Sequence, residues 1–340
     1  MLHTFPFLAA ILIMASAPAA AADQPLIGLI TKTETNPFFV KMREGALQSA
    51  QLLGARLMTD AGRRDGDNAG QVTALENMIA AGAKAILITP SDSKAIVPSI
   101  RKARAKGILV IALDSPTDPQ DASDAIFATD NYRAGVLIGR YARSALAGKP
   151  LRIVMLDLFP GHPVGAQRHN GFLEGLGLPA PGAGSTELVR DPAVLCMADS
   201  HGDQSRAQTA MENCLARAPE VNLVYAINEP AAAGAHTALK RAGKNRQAIL
   251  VAVDGGCAGI AAMARSELDA TAQQYPLKMA QWGVEAAVRF AKDGVKPESH
   301  LDTGVNLIAA RAVDAVHVLI KAHPRAIVFA RVNAQRFIAQ

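Results

Sequence analysis

Cysteine is scarce in this chain. Cys196, Cys214 and Cys257 are the only three in 340 residues, too few for a disulfide framework, and their spacing fits no zinc motif. Cys196 ends a strand-like run and Cys214 lies on the next helix-like one. Two readings stay open: one disulfide between them in an oxidising compartment, or three small buried residues. The histidines are scattered without H-E-x-x-H spacing, and no Gly-rich phosphate loop follows a strand. Ser91, Ser93 and the cysteines sit in no nucleophile elbow. Nothing in the chain asks for catalysis, and no metal or cofactor is expected.

Charge of one sign is also sparse. The formal net charge is +5, and past Asp314 come Lys321, Arg325, Arg331 and Arg336 with no acid, which leaves +1 for the rest. No basic stripe marks a nucleic-acid binder. Long apolar runs are missing after the start, so no stable membrane insertion is expected. The start itself has an apolar stretch from Phe5 to Met14 and then Ala20-Ala21-Ala22 before Asp23. That stretch is too short for a permanent anchor, and the small residues suit signal peptidase. Residues 1–22 are therefore expected to be an export signal, cleaved near Ala22, with the mature protein in the periplasm. Aromatics make up 4% of a half-hydrophobic chain, a composition that fits a helix-rich α/β protein.

What the chain has in abundance is alternation. "PLIGLI", "ARLMTD", "AKAILIT" and "GILVIALD" are short Ile-, Leu- and Val-rich runs, as parallel strands buried on both faces require. Between them lie stretches with apolar residues at helical spacing, each ending near a Gly. The grammar restarts after "NYRAGVLIGRYARSALAGKP" with strand-like "LRIVMLDL", "ELVRDPAVLCMAD", "VNLVYAIN" and "AILVAVDG". The fold class predicted is α/β, two doubly wound parallel-sheet lobes. The first lobe covers 23–129, rejoined by about 275–310, and the second covers 130–274. Several crossings between lobes make a hinge beside a cleft. Residues 311–340 form a basic, apolar tail that reads equally as an extra helix or strand, an interaction segment or altered sequence.

Polar residues stand where strands end: Asn36, Asp114, Asn228 and Asp254. In open α/β sheets such positions face the ligand crevice, although each alone could be a helix cap or turn residue. Carboxylates, amides and a guanidinium suit sugar hydroxyls, each of which both donates and accepts. Phe38 and Phe39 offer flat surfaces for a sugar's C–H face, or ordinary core at a helix start.

"IGLITKTETNPFFVKMREGA", "AILITPSDSKAI", "VIALDSP", "FATDNYRAG", "AQRHNGF", "YAINEPAAAGAHTAL", "LVAVDGG" and "ATAQQYP" together resemble the type I periplasmic sugar-binding proteins of ABC transporters, in the ribose- and fructose-binding branch. The resemblance covers about residues 25 to 310. It implies that Asn36, Phe38, Phe39 and Asp114 contact a sugar from the first lobe. It places Asp130 at the first hinge crossing, Arg168, Asn228 and Asp254 in the second lobe and Gln274 at a second crossing, and implies that these too bind the ligand.

Departures bear on ligand choice. Ribose-type members carry an Arg where this chain has Ser115 and an Asn where it has Thr89, and their second-lobe aromatic is replaced by polar His201 to Gln204. Lys32 and Glu34, with "TAMENCL" and "DTGVNLI", are more similar to fructose-binding members. The implied function is capture of a fructose-like monosaccharide and its delivery, as a monomer, to the transmembrane subunits of an ABC permease. The alternative is presentation of the sugar to a chemoreceptor or histidine kinase.

Overall fold

The computed structural model describes residues 24–311, 313, 318–320 and 328–330. The expected signal segment lies outside these residues. Strand β1 (Leu26–Thr31) leads to helix α1 (Pro37–Leu53), β2 (Arg56–Ala61), α2 (Asn68–Ala80), β3 (Ala85–Ile88), α3 (Val97–Ala105), β4 (Leu109–Leu113) and β5 (Ala125–Ala128). The chain then enters the second lobe through α4 (Asn131–Ala145), β6 (Ile153–Asp157), α5 (Pro163–Gly175), β7 (Val194–Asp199) and α6 (Gln204–Arg217). That lobe continues with β8 (Leu223–Ala226), α7 (Glu229–Arg241), β9 (Ile249–Asp254), α8 (Cys257–Ala264) and β10 (Ala270–Gln273). Helix α9 (Pro276–Asp293) and β11 (His300–Asp302) return to the first lobe, and β12 (Asn306–Ala309), β13 (Val318–Ile320) and β14 (Val328–Ala330) go back to the second.

The first sheet has the order β11-β5-β4-β3-β1-β2, with every pair parallel. The second runs β13-β14-β12-β10-β9-β8-β6-β7, parallel from β10 to β7 and antiparallel where β12, β14 and β13 join. Two α/β doubly wound lobes joined by a hinge are therefore the architecture. Buried β-branched and Leu side chains face helices on both sides of each sheet, which is why the strands read as unbroken apolar runs.

Three segments cross between the lobes: after β5, after β10 and after β11. Thr129 and Thr303 bring two of them together at 3.5 Å between hydroxyls, and Lys278 Nζ donates to the Thr303 carbonyl at 3.1 Å. Two sequence expectations shift. The return to the first lobe was expected to extend to residue 310, but β12 pairs antiparallel with β10 and so belongs to the second sheet. "ELVRDPAVLCMAD" becomes a strand only from Val194, because Asp191 and Pro192 turn the chain; Asp191 Oδ1 accepts from Ala193 N at 2.8 Å. In the tail, the backbones of β14 and β13 extend the second sheet beyond β12.

Helix packing sets up the site. Helices α4 and α5 lie so close that a Cβ on Gly135 would overlap the Arg168 carbonyl, and one on Gly171 would overlap the Tyr132 carbonyl. Glycine at these contacts lets the backbones approach. Arg168 on α5 is thereby delivered to the start of α4.

Candidate functional site

A cavity of about 1600 Å³ opens between the lobes. Thr33, Asn36, Phe38, Phe39 and Asp65 line it from the first lobe, and His201, Glu229, Asp254 and Gln274 line the opposite side. The volume exceeds the 300–1,000 Å³ typical of ligand pockets because it runs out to surface residues such as Lys240 and Gln281.

Arg168 is buried, 5% exposed. Its Nε donates to Asn131 Oδ1 at 2.8 Å and its Nη1 to the Ile227 carbonyl at 3.0 Å. These two bonds hold the guanidinium plane within electrostatic reach of Asp254. Asp254 ends β9, and its Oδ1 accepts from Gln274 Nε2 at 3.0 Å. Burial pushes the Asp254 carboxyl up to about 6, against the downward pull of Arg168, while Asp114 adds to the rise. Asp114 follows β4 with φ 63°, and its Oδ2 accepts from Ser115 Oγ at 3.1 Å. Asp114 Oδ1, Gln274 Oε1 and Asp65 Oδ1 are buried with no protein partner. Buried acceptors left open cost free energy unless something donates to them; Asp65 and Gln274 line the cavity, and Asp114 stands close enough for its charge to act on Asp65 and Asp254.

At the inner edge Lys32 Nζ meets His162 Nε2 at 3.0 Å across the lobes and stands 3.9 Å from Asp65 Oδ2. Burial raises the Asp65 carboxyl although Lys32 opposes it. Burial first, and then the charges of Lys32 and Arg168, hold the His162 imidazole well below its usual range.

Asn36 lines the cavity but also caps α1, with Oδ1 accepting from Phe38 N at 3.0 Å. Phe38 and Phe39 meet edge to face at 5.3 Å and pack into the first-lobe core while touching the cavity. Asn228 has both ends of its amide engaged, accepting from Ala231 N at 2.9 Å and donating to the Gly202 carbonyl at 3.0 Å. It caps α7 and ties down the 200–203 turn. Asp130 does not join the site. It is exposed and caps α4 by accepting from Arg133 N at 2.9 Å, while its neighbour Asn131 reaches Arg168. Asn131, His162 and Glu229 escaped the sequence reading. Glu229 stands directly after the strand-end residue Asn228, and His162 directly before the Pro that opens α5, so these adjacencies were the signals available.

Two α/β lobes on a three-segment hinge, with buried polar groups converging between them, define a type I two-lobe binding protein. The chain belongs to the periplasmic binding protein domain family, whose model matches residues 27–295. It is 29% identical over 301 residues to the ribose import binding protein of Escherichia coli (strain K12), covering 88% of this chain and 95% of that protein. It is 29% identical over 295 residues to the D-apiose import binding protein of Paraburkholderia graminis, covering 86% and 90%. An ABC transporter solute-binding protein from Actinobacillus succinogenes 130z, solved with bound D-allose, superposes with a TM-score of 0.74 at 25% identity, covering 84% of this chain and 98% of that one. Among the described residues no cluster of His, Cys, Asp or Glu could hold a metal ion, and no helix is long and apolar enough to cross a membrane.

Proposed function

We propose that the protein captures a monosaccharide between its lobes in the periplasm and delivers it to an ABC permease. The observation that carries this reading is the set of open, buried acceptors Asp114 Oδ1, Asp65 Oδ1 and Gln274 Oε1 beside the Asp254–Arg168 pair. Acceptors of this kind match hydroxyl donors, and they come from both lobes. A polyol that satisfies them favours the closed arrangement, which converts occupancy into a shape a permease can recognise. The ribose, apiose and allose names among the relatives support a sugar of five or six carbons.

Within that class we assign Asn36, Phe38, Phe39, Asp114, Arg168, Asp254 and Gln274 to the sugar site, with Asn228 holding Gly202 of its wall. The fructose-like reading draws on Lys32, whose buried ammonium reaches the inner edge of the cleft. Glu34 lends it no support, since it is exposed on the surface. A thermal-shift screen of D-ribose, D-allose, D-apiose and D-fructose tests the assignment, because a ligand at 100 times its Kd stabilises by about 2.7 kcal/mol. A shift with one of these sugars and none with amino acids is the expected result.

A further inference from the structure

Helix α8 begins after Gly256, and no side chain of its own caps it. The free N–H groups of a helix's first turn need acceptors. Glu229, the first residue of α7, supplies them from outside. Its two carboxyl oxygens accept from Gly256 N, each at 3.2 Å, and Oε2 also accepts from Gly259 N at 3.1 Å. Oε1 accepts from Thr271 Oγ1 of β10 at 3.0 Å, and that hydroxyl accepts from Gly255 N at 3.1 Å. A Cβ on Gly259 would overlap the Glu229 carboxyl group, so the glycine there makes room for this contact. The backbone N–H of Glu229 meanwhile donates to Asp254 Oδ2 at 3.2 Å.

The turn enclosed by these bonds is Asp254-Gly255-Gly256. Asp254 has φ 145° and Gly255 φ 66°. A non-glycine residue in that region persists only where its surroundings over-determine it. Glu229 grips both flanks of the turn, with its main chain on the Asp254 carboxylate and its side chain on the N–H groups that follow.

We propose that Glu229 is a positioning residue for ligand capture, seated on the first turn of α8 so that Asp254 stays aimed into the cleft. The proposal rests on the reading of Asp254 as a sugar acceptor. The groups facing the Glu229 carboxyl are Asp254, Thr271 and the α8 amides, and beyond Asp254 stand Arg168, Asp114 and Gln274. Burial, and then the charge of Asp254, push the Glu229 carboxyl up to about 8. The Thr271 hydroxyl and the α8 amides favour the ionised carboxylate against burial and the charge of Asp254, so the balance of forces on the turn changes as Glu229 ionises. Glu229→Gln, which keeps the shape but offers one acceptor oxygen, mimics the protonated form at every pH.

The test is calorimetric titration of the parent and of Glu229→Gln with D-ribose, D-allose and D-fructose at pH 7, 8 and 9, with amide hydrogen exchange at Gly256 and Gly259 measured without ligand. The expected result is a parent whose affinity changes with pH over this range, as Glu229 ionises beside Asp254. The variant should be pH-independent, about tenfold weaker than the parent, and faster in exchange at both amides. Equal affinities with identical pH profiles would overturn the proposal. If no sugar binds the parent, exchange still separates the two ideas: faster exchange in the variant keeps the positioning role and rejects the sugar, whereas unchanged exchange rejects the positioning role as well. Circular dichroism of Glu229→Gln checks the fold, and Thr271→Val, which removes one donor to the same carboxyl, should give a smaller change of the same sign.

Discussion

Lys32 Nζ lies 3.0 Å from His162 Nε2, and the two residues belong to different lobes. Lys32 follows β1, whereas His162 caps α5 through Nδ1, 3.4 Å from Gly165 N. Both are almost fully buried. The contact exists only when the lobes are together, and it places a neutral imidazole beside an ammonium, with Arg168 behind it and Asp65 on the far side of Lys32.

That contact makes closure sensitive to acid. Opening the lobes returns His162 to water, where an imidazole titrates near pH 6.5, while the closed form holds it well below that value. At His162 the closed state thus binds fewer protons. It is favoured above about pH 6.5 and opposed progressively as pH falls below it, by at most tenfold per pH unit. Sugar affinity measured by calorimetry should fall between pH 7 and pH 5. His162→Asn keeps a good helix cap and should make the fall smaller, leaving the part set by the Asp254 carboxyl, which titrates in the same window.

The charged pair at the back of the cleft should dominate affinity. Removing one partner of a charged hydrogen bond costs about 1.5–3 kcal/mol, and each 1.4 kcal/mol is tenfold. Asp254→Ala and Arg168→Ala are each expected to weaken sugar binding about ten- to a hundredfold. They should differ in stability. Arg168→Ala strands Asn131 Oδ1 and the Ile227 carbonyl, both of which it now serves, and should lower Tm. Asp254→Ala removes a buried carboxyl whose pKa is raised to about 6. A raised acid destabilises the fold increasingly as pH climbs from its unfolded value near 4 through 6. Unliganded Asp254→Ala also strands the Gln274 amide and the Glu229 N–H that donate to the carboxylate, so relief of the raised acid offsets only part of the cost, and the loss of Tm should shrink as pH rises from 5 to 7.

Trp282 supplies the converse. It packs on the first-lobe core, with Lys278 Nζ 4.3 Å from its ring centroid. Trp282 is half-buried, so Trp282→Ala should cost less than the roughly 3–5 kcal/mol of a core Trp and leave the affinity of the folded protein unchanged. Differential scanning calorimetry beside a binding titration measures both.

Cys196 on β7 and Cys214 on α6 form a disulfide, with Cα atoms 5.7 Å apart, and Cys257 is free and exposed. Intact mass after alkylation should show one modified thiol without reductant and three with it. Three modified thiols in the native protein would contradict the pairing.

The repeated βαβ pattern was legible because parallel strands covered on both faces leave uninterrupted apolar runs such as "AILI" and "ILVAV". Asp114 and Asp254 were legible for a related reason, since a polar residue closing such a run sits at the crevice. Asn36, Asn228 and Asp130 expose the limit of that rule. Strand ends in this fold are also helix starts, so the residue types that bind hydroxyls are the ones that cap helices. Asp130 and Asn131 differ by one position, and only the α4–α5 approach through Gly135 and Gly171 decides which of them meets Arg168. The roles of His162 and Glu229 were illegible because their partners, Lys32 and the α8 amides, are distant in the chain.

Titration calorimetry of the mature protein with D-ribose, D-allose and D-fructose at pH 7.5 tests the central claim most directly. The account predicts that at least one of them saturates the protein with a stoichiometry of about one, and that Asp254→Ala weakens that same titration. No heat from any of the three, or a titration that Asp254→Ala leaves untouched, would contradict a monosaccharide site between the lobes.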